Sequence, residues 1–342
     1  MDVVQIVLGL VAGLALFLYG VGRLASGMRA AAGDRMKQLL ERATTNRVAG
    51  VLTGAAATAV LDSSSVTIIM VVALVDAGLL TFVQSLGVIL GANIGTTVSS
   101  QLIALDVQRY APLAMAAGLL LGVLARRRDP AGRWAHAGAA LFGLGLVFFG
   151  LAQMGDAVEP LKASGRFNAW MAGLERPLVG VAAGALTTLV IQSSSATLGI
   201  AITLAAQGLL TLPAGVAVML GAEIGTCADT LLATLGRSRE ALRAGVFHLL
   251  FNVATVTVGV ALVVPLADLA RALGGGPARQ IANAHVAFNV AGVLAALVVL
   301  GPAARALERL VPARATGGTD DATGAPESVR TTRQPAATAP RA

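Results

Sequence analysis

The sequence predicts an all-α polytopic membrane protein made of two inverted-topology repeats, each with a re-entrant helical hairpin and a broken transmembrane helix. Three observations predict it. Of the 342 residues, 56% are hydrophobic and 13% charged, whereas globular domains carry about 25% charged residues. A polar string occurs twice in apolar surroundings, as Leu61-Asp62-Ser63-Ser64-Ser65 and Ile191-Gln192-Ser193-Ser194-Ser195. Polar groups at membrane depth are tolerated where they face protein or a water-filled cavity, so each string marks a functional position. The two strings lie 130 positions apart, and the same gap-free shift aligns much of the surrounding sequence.

That shift brings Gly78-Leu79-Leu80-Thr81 onto Gly208-Leu209-Leu210-Thr211 and Gly91-Ala92-Asn93-Ile94-Gly95-Thr96 onto Gly221-Ala222-Glu223-Ile224-Gly225-Thr226. Upstream, Gly13, Leu14, Leu16 and Gly20 fall on Gly143, Leu144, Leu146 and Gly150. The expected organisation is a membrane repeat over 1–130, a second over 131–265, a loop and an extra C-terminal transmembrane helix over 266–311, and a disordered cytoplasmic tail over 312–342. A repeat of this length exceeds a solenoid unit and fits a duplicated half-transporter.

The elements follow in order. Residues 3–22 are long enough to span, and Met1-Asp2 lacks the basic start of a cleavable signal. Residues 23–47, with Arg23, Arg29, Arg35, Lys37, Arg42 and Arg47, read as an amphipathic basic helix on the membrane surface. Residues 48–61 and 66–75 are apolar arms too short to span alone, and with the polar tip between them they read as a re-entrant hairpin. Residues 82–104 read as a helix broken at Gly91–Thr97, and 110–125 as a span ending at Arg126-Arg127-Arg128-Asp129-Pro130. The second unit repeats the order: a span at 134–152, a polar connector at 153–176, hairpin arms at 177–191 and 196–206, a broken helix at 212–235 and a span at 241–264. A loop at 265–280 and a last span at 281–300 follow, and the Ala-, Thr-, Gly-, Pro- and Arg-rich end cannot form a core.

If the hairpins do not cross, each unit contributes an odd number of crossings, and the second enters from the opposite side. With the N-terminus outside and the C-terminus in the cytoplasm, inside segments carry sixteen Lys and Arg and outside segments six. The net charge of +7 is therefore a topology signal, and no basic stripe with aromatic platforms points to nucleic acid. The one cysteine, Cys227, excludes an intrachain disulfide and reads as a small packing residue.

A hairpin tip exposes the N–H groups that open its second helix, and with serine hydroxyls these form an anion site without formal positive charge. Ser63, Ser64, Ser65, Ser193, Ser194 and Ser195, with Gln192, are the candidate substrate residues. Phosphate, sulfate and carboxylate all suit such donors. Asp62, Thr67, Asn93, Thr96, Thr197, Glu223 and Thr226 offer oxygens for a hard cation such as sodium. His248 and Asn252, and likewise His285 and Asn289, are four apart on one helix face and suit interhelical hydrogen bonds or indirect support of the ion site. Asp229 either joins a cation site or pairs with an arginine such as Arg237. Asp76 reads as interfacial, and Arg109 and Arg239 match across the shift as helix-end markers. An enzyme acting on a lipid phosphate would need a base beside its nucleophile, and no histidine neighbours the serines in sequence. A non-transporting sensor is disfavoured by the short tail.

The Gln-Ser-Ser-Ser string, the Gly-Ala-Asn-Ile-Gly-Thr-Thr segment and the helices after them resemble the sodium/phosphate cotransporter family, over residues 8–300. The resemblance implies two inverted repeats, each with such a hairpin, and import of inorganic phosphate with sodium across the cell membrane by alternating access. Sodium is then the coupling ion, with no other cofactor. Many bacterial members carry a cytoplasmic domain resembling PhoU after the membrane part. Only about thirty residues stand there here, so that regulation is absent or comes from a separate protein. Oligomeric state is not readable from the sequence. Two positions depart from the family: Asp62 replaces a glutamine and Glu223 an asparagine. A carboxylate beside an oxyanion repels it unless a cation or proton intervenes. Both are therefore expected on cation sites, strengthening cation binding or admitting proton coupling; a neutral carboxyl that simply hydrogen-bonds is the other reading. A proton-driven carrier of another oxyanion or a carboxylate is the alternative function.

Overall fold

The computed structural model describes residues 3–32, 46–105, 107–128 and 132–312. Among them every regular element is helical. In order these are α1 Val3–Ala32, α2 Arg47–Leu61, α3 Ser64–Asp76, α4 Phe82–Ile103, α5 Ala111–Arg128, α6 Arg133–Val158, α7 Gly165–Gly173, α8 Pro177–Ile191, α9 Ser194–Ala206, α10 Leu212–Gly225, α11 Cys227–Leu232, α12 Arg239–Ala261, α13 Val263–Ala272 and α14 Pro277–Leu310. Seven helices among the described residues are long and apolar enough to cross a membrane, or eight if the bent pair α7–α8 is one span. Side chains such as Leu113, Leu178, Val190 and Val298 are more than two-thirds exposed, which suits lipid rather than water. The chain is a polytopic helical membrane protein.

Local chemistry sets the helix starts. The side chains of Asn46, Ser63, Ser164, Ser193 and Ser238 each accept a hydrogen bond from the N–H three residues on. Thr81 and Gln84 form a reciprocal capping box. Each such bond satisfies an N–H that the helix cannot, contributing about 1 kcal/mol. Pro177, Pro213 and Pro277 stand in first turns, where a missing N–H costs nothing.

Helices α1 and α6 run antiparallel in close contact. Gly9 faces Ala157, Gly13 faces Gly150 and Met154, Gly20 faces Gly143 and Val147, and Gly27 faces His136 and Ala140. A Cβ on Gly20 would lie 2.8 Å from the Gly143 carbonyl oxygen, so only glycine permits the approach. In each half the first hairpin arm lies against the helix that follows the hairpin: α2 on α4, and α8 on α10. Gly91 meets the Val51 carbonyl and Gly221 the Val181 carbonyl, the same residue pair shifted by 130. Helix α14 lies across both α4 and α10 and ties the halves together.

Several boundaries differ from the sequence reading. Residues 23–32 continue α1, because nothing in that stretch breaks its hydrogen-bond ladder, while the rest of the expected surface helix (33–45) lies outside the described residues. Helix α4 runs unbroken through Gly91–Thr97, so the first expected break is absent. The glycines there serve contact with α2, and Asn93, Thr96 and Thr97 bond carbonyls of their own helix, at Ile89, Ala92 and Ile94. The second expected break shrinks to a one-residue interruption at Thr226 between α10 and α11: Thr226 keeps a helical conformation, and Leu212–Leu232 counts as one span. The polar connector 153–176 contains the end of α6, a 3-10 turn at Glu159–Ala163 and α7. The loop expected at 265–280 shrinks to 273–276, because α13 occupies 263–272. Helix α14 extends past the expected 281–300 at both ends. The expected tail lies outside the described residues from 313 onward.

Candidate functional site

Each polar string forms a sharp turn between two helices. Asp62 and Gln192 take φ of 54° and 57°, the only non-glycine residues with positive φ among those described. That left-handed conformation is uncommon and marks a position where geometry is held against local preference. The bracing around it repeats atom for atom. Thr58 Oγ1 donates to Thr67 Oγ1 at 2.9 Å, and Thr188 Oγ1 to Thr197 Oγ1 at 2.8 Å. Thr67 Oγ1 donates onward to the Ser63 carbonyl at 3.1 Å, and Thr197 Oγ1 to the Ser193 carbonyl at 3.2 Å. Thr67 and Thr197 therefore pin each tip from within, and Thr58 and Thr188, which the motif reading missed, complete the brace.

Ser63 and Ser193 cap α3 and α9 through their side chains. The hydroxyls of Ser64, Ser194 and Ser195 make no hydrogen bond among the described residues, so they and the first N–H groups of the two helices are free to meet a ligand. Ser65 Oγ lies 3.0 Å from Thr226 Oγ1, so the first tip touches the interruption in the second half. Asp62 and Ser195, one from each tip, line a single cavity of about 20 Å³ with Ser99, Leu102 and Phe148. That holds one water and not a tetrahedral oxyanion, and no lysine or arginine lines it. Another cavity, of about 890 Å³ between α12 and α14, has an apolar lining such as Phe247, Phe288 and Val299 and contains none of the tip residues.

Ser99 donates its hydroxyl hydrogen to Asp62. It was not singled out in the sequence, although the shift places it opposite Asp229. A second cluster surrounds Glu223. His285 Nε2 lies 2.8 Å from Glu223 Oε1, and Asn289 Nδ2 donates to the same oxygen at 2.9 Å. Ser100 Oγ stands 2.8 Å from both the Thr97 carbonyl and His285 Nδ1. A carbonyl only accepts, so the serine hydrogen goes to Thr97 and Nδ1–H donates to the serine. The Nε2–Oε1 contact then makes the second ring nitrogen the partner of the Glu223 carboxyl. His248 differs. Thr230 donates to the Cys227 carbonyl, so His248 Nδ1–H donates to Thr230 and Nε2 accepts from Asn252, leaving a neutral ring.

Cys227 is buried and receives Asn252 Nδ2 at 3.2 Å, which fits its reading as a packing residue. Asn252 Oδ1 is the one buried side-chain oxygen or nitrogen without a partner among the described residues. Asn93 and Thr96 are buried on α4 with their protons given to that helix. Asp229 makes no ion pair among the described residues; Arg237 pairs instead with Asp76, at 3.6 Å. Asp76 also accepts from Ser238 N at 2.7 Å, and this bond, helped by Arg237, holds its carboxyl below the usual carboxylate range.

A polytopic helical membrane protein whose halves each bring a serine-tipped helix pair to a common polar centre has the build of a transporter. Residues 16–156 and 159–302 match the family described as Na+/Pi-cotransporter, and the chain belongs to it. The family is one of transporters, not enzymes. The uncharacterized protein YqeW of Bacillus subtilis is 28% identical over 307 residues, 87% of this chain and 96% of that protein. The "Putative inorganic phosphate export protein YjbB" of Escherichia coli K12 is 25% identical over 305 residues, 89% of this chain, which spans only 55% of that protein. Human sodium-dependent phosphate transport protein 2B is 31% identical over 103 residues, 28% of this chain and 15% of that protein. No solved structure matches.

Proposed function

We propose that the protein is a sodium-coupled inorganic phosphate symporter of the cell membrane. The observation that carries the reading is the meeting of the two halves: Asp62 and Ser195 share one cavity, and Ser65 bonds Thr226. Ser63, Ser64 and Ser65 from one tip, with Gln192, Ser193, Ser194 and Ser195 from the other, hold phosphate by hydroxyls and helix N-termini. Asp62, Glu223 and Thr226 supply the cation-facing oxygens, with Thr67, Asn93, Thr96 and Thr197 behind them and Asp229, His248, Asn252 and Asn289 in support. The cations brought in with phosphate supply the positive charge that the site lacks, and the direction of net flow follows the combined gradients.

The two halves, 1–130 and 131–265, act as inverted repeats with re-entrant hairpins. The reciprocal contacts of α1 with α6 support this: Gly13 meets Gly150, the counterpart of Gly20, and Gly20 meets Gly143, the counterpart of Gly13. Such an antiparallel, two-fold-related pair puts the axis in the membrane plane. The N-terminus lies outside and the C-terminus in the cytoplasm.

Radiolabelled phosphate uptake into proteoliposomes, with sodium, potassium or proton gradients in either direction, tests the function. Sodium-independent uptake would refute the coupling, and sodium-driven uptake of sulfate or a dicarboxylate in place of phosphate would refute the substrate. A cytoplasmic reporter fused after Leu310 should be active and one inserted at 273–276 inactive; the reverse overturns the orientation.

A proton-coupled mode is the second reading, favoured by the buried imidazole–carboxyl contact of His285 with Glu223. Uptake driven by a proton gradient without sodium would select it.

A further inference from the structure

The shift that maps tip onto tip also maps Ser99 onto Asp229 and Ser100 onto Thr230. Ser100 and Thr230 sit in like surroundings, although the two histidines that meet them are not themselves related by the shift. His285 Nδ1 bonds Ser100 Oγ and His248 Nδ1 bonds Thr230 Oγ1, both at 2.8 Å, and both histidines begin a His-x-x-Phe-Asn segment. The pair Asp62–Ser99 of the first half therefore corresponds to Gln192–Asp229 of the second, with acid and neutral partner exchanged. In the first half the tip carries the carboxyl and the following helix the hydroxyl. In the second the tip carries the amide and the following helix the carboxyl.

We propose that Asp229 is the second half's counterpart of Asp62, that each half keeps one carboxyl at the contact between its tip and the helix after it, and that these two carboxyls set the cation dependence of transport. The proposal rests on the reading of the tips as the transport site. A carboxyl within an apolar helical bundle is costly and persists where it has a task. Two halves that each hold one, at opposite ends of the same contact, conserve the charge rather than the position. The two contacts are in different states. Asp62 is half-buried and bonded to Ser99, whereas Gln192 is exposed and no hydrogen bond joins it to Asp229. The first contact is made and the second open, as two halves that close in turn require. In the closed second half, Gln192 donates to Asp229 as Ser99 now donates to Asp62.

The test is to move each charge across its own contact. Asp62→Gln and Asp229→Ser should each raise the sodium concentration for half-maximal phosphate uptake by about tenfold or more, the loss of one charged ligand. Asp62→Gln with Ser99→Asp, and Asp229→Ser with Gln192→Asp, should return it to near the wild-type value. A purely structural role for the contacts would lower the amount of folded protein without moving the sodium dependence. Sodium-dependent thermal stabilisation of the purified proteins is read in parallel and needs no phosphate transport. Wild type that takes up no phosphate yet is stabilised by sodium would sink the functional reading. In that case a weaker sodium stabilisation in the single variants, restored in the double ones, would still support the carboxyl pairing. The proposal is overturned if both double variants are as impaired as their single parents, if neither single variant shifts the sodium dependence, or if sodium does not stabilise the wild type.

Discussion

Glu223 separates a hydrogen-bonding role from an ionic one. Its Oε1 receives Asn289 Nδ2 at 2.9 Å and is hydrogen-bonded to His285 Nε2 at 2.8 Å, and all three side chains are buried. Glu223→Gln keeps both bonds on one atom: the amide oxygen takes the place of Oε1 and accepts from Asn289 Nδ2 and from His285 Nε2–H, with Ser100 Oγ then donating to Nδ1. Glu223→Ala removes both at once and strands two buried polar groups. Breaking a buried pair by deleting one partner costs about 3–5 kcal/mol, whereas an isosteric amide that keeps the bonds costs a small fraction of that. Thermal unfolding in detergent should therefore show Glu223→Gln close to wild type and Glu223→Ala lower by several degrees. His285→Ala should resemble Glu223→Ala, and the double alanine variant should lose less than the sum, because the second deletion removes a group already stranded. In proteoliposomes Glu223→Gln should assemble normally yet show altered pH and sodium dependence. Equal destabilisation by the glutamine and alanine substitutions would refute the hydrogen-bond assignment. Full additivity of Glu223→Ala and His285→Ala would refute the pairing.

Ser64→Ala and Ser194→Ala should each weaken phosphate binding to purified protein at saturating sodium about tenfold, through loss of a hydrogen bond to a charged ligand. The double variant should fall short of the product, and normal binding by one single variant beside none by the other would exclude a shared site. Gly91→Ala and Gly221→Ala place a Cβ against the Val51 and Val181 carbonyls, and each should destabilise by about 1–3 kcal/mol as backbones separate, with an exposed Gly22→Ala as the control in the same thermal assay. Asp76 has a depressed folded-state pKa, so its bond to Ser238 and its pairing with Arg237 stabilise above the ordinary carboxylate range and are lost as pH falls through the folded value. Asp76→Asn should lower the neutral plateau toward the acid level and so flatten the acid side of the stability–pH curve, read by thermal unfolding across that range.

The two helix pairs joined at the polar tips are legible in the sequence because their polar residues stand between short apolar arms, and because the second copy sets the register. The same clue misled at Gly91–Thr97. Glycine, asparagine and threonine read alike whether they open a helix or let another helix approach, and only the position of α2 distinguishes the two. The second copy is interrupted for one residue only, at Thr226 before Cys227. The His285–Glu223 bond joins residues 62 positions apart on different helices, so no spacing rule shows it. His285 and Asn289 were nonetheless marked as one face of one helix. Ser99 is not legible from a shift that matches like with like, because its counterpart is the unlike Asp229.

The seam between α1 and α6 has a bearing on descent. Gly13 touches the residue that corresponds to Gly20, and Gly20 touches the residue that corresponds to Gly13. A surface whose two ends fit each other needs no second sequence to complete it. A single ancestral half bearing these glycines would already have matched a copy of itself inserted the other way round, so pairing could precede the gene fusion that now holds both copies in one chain.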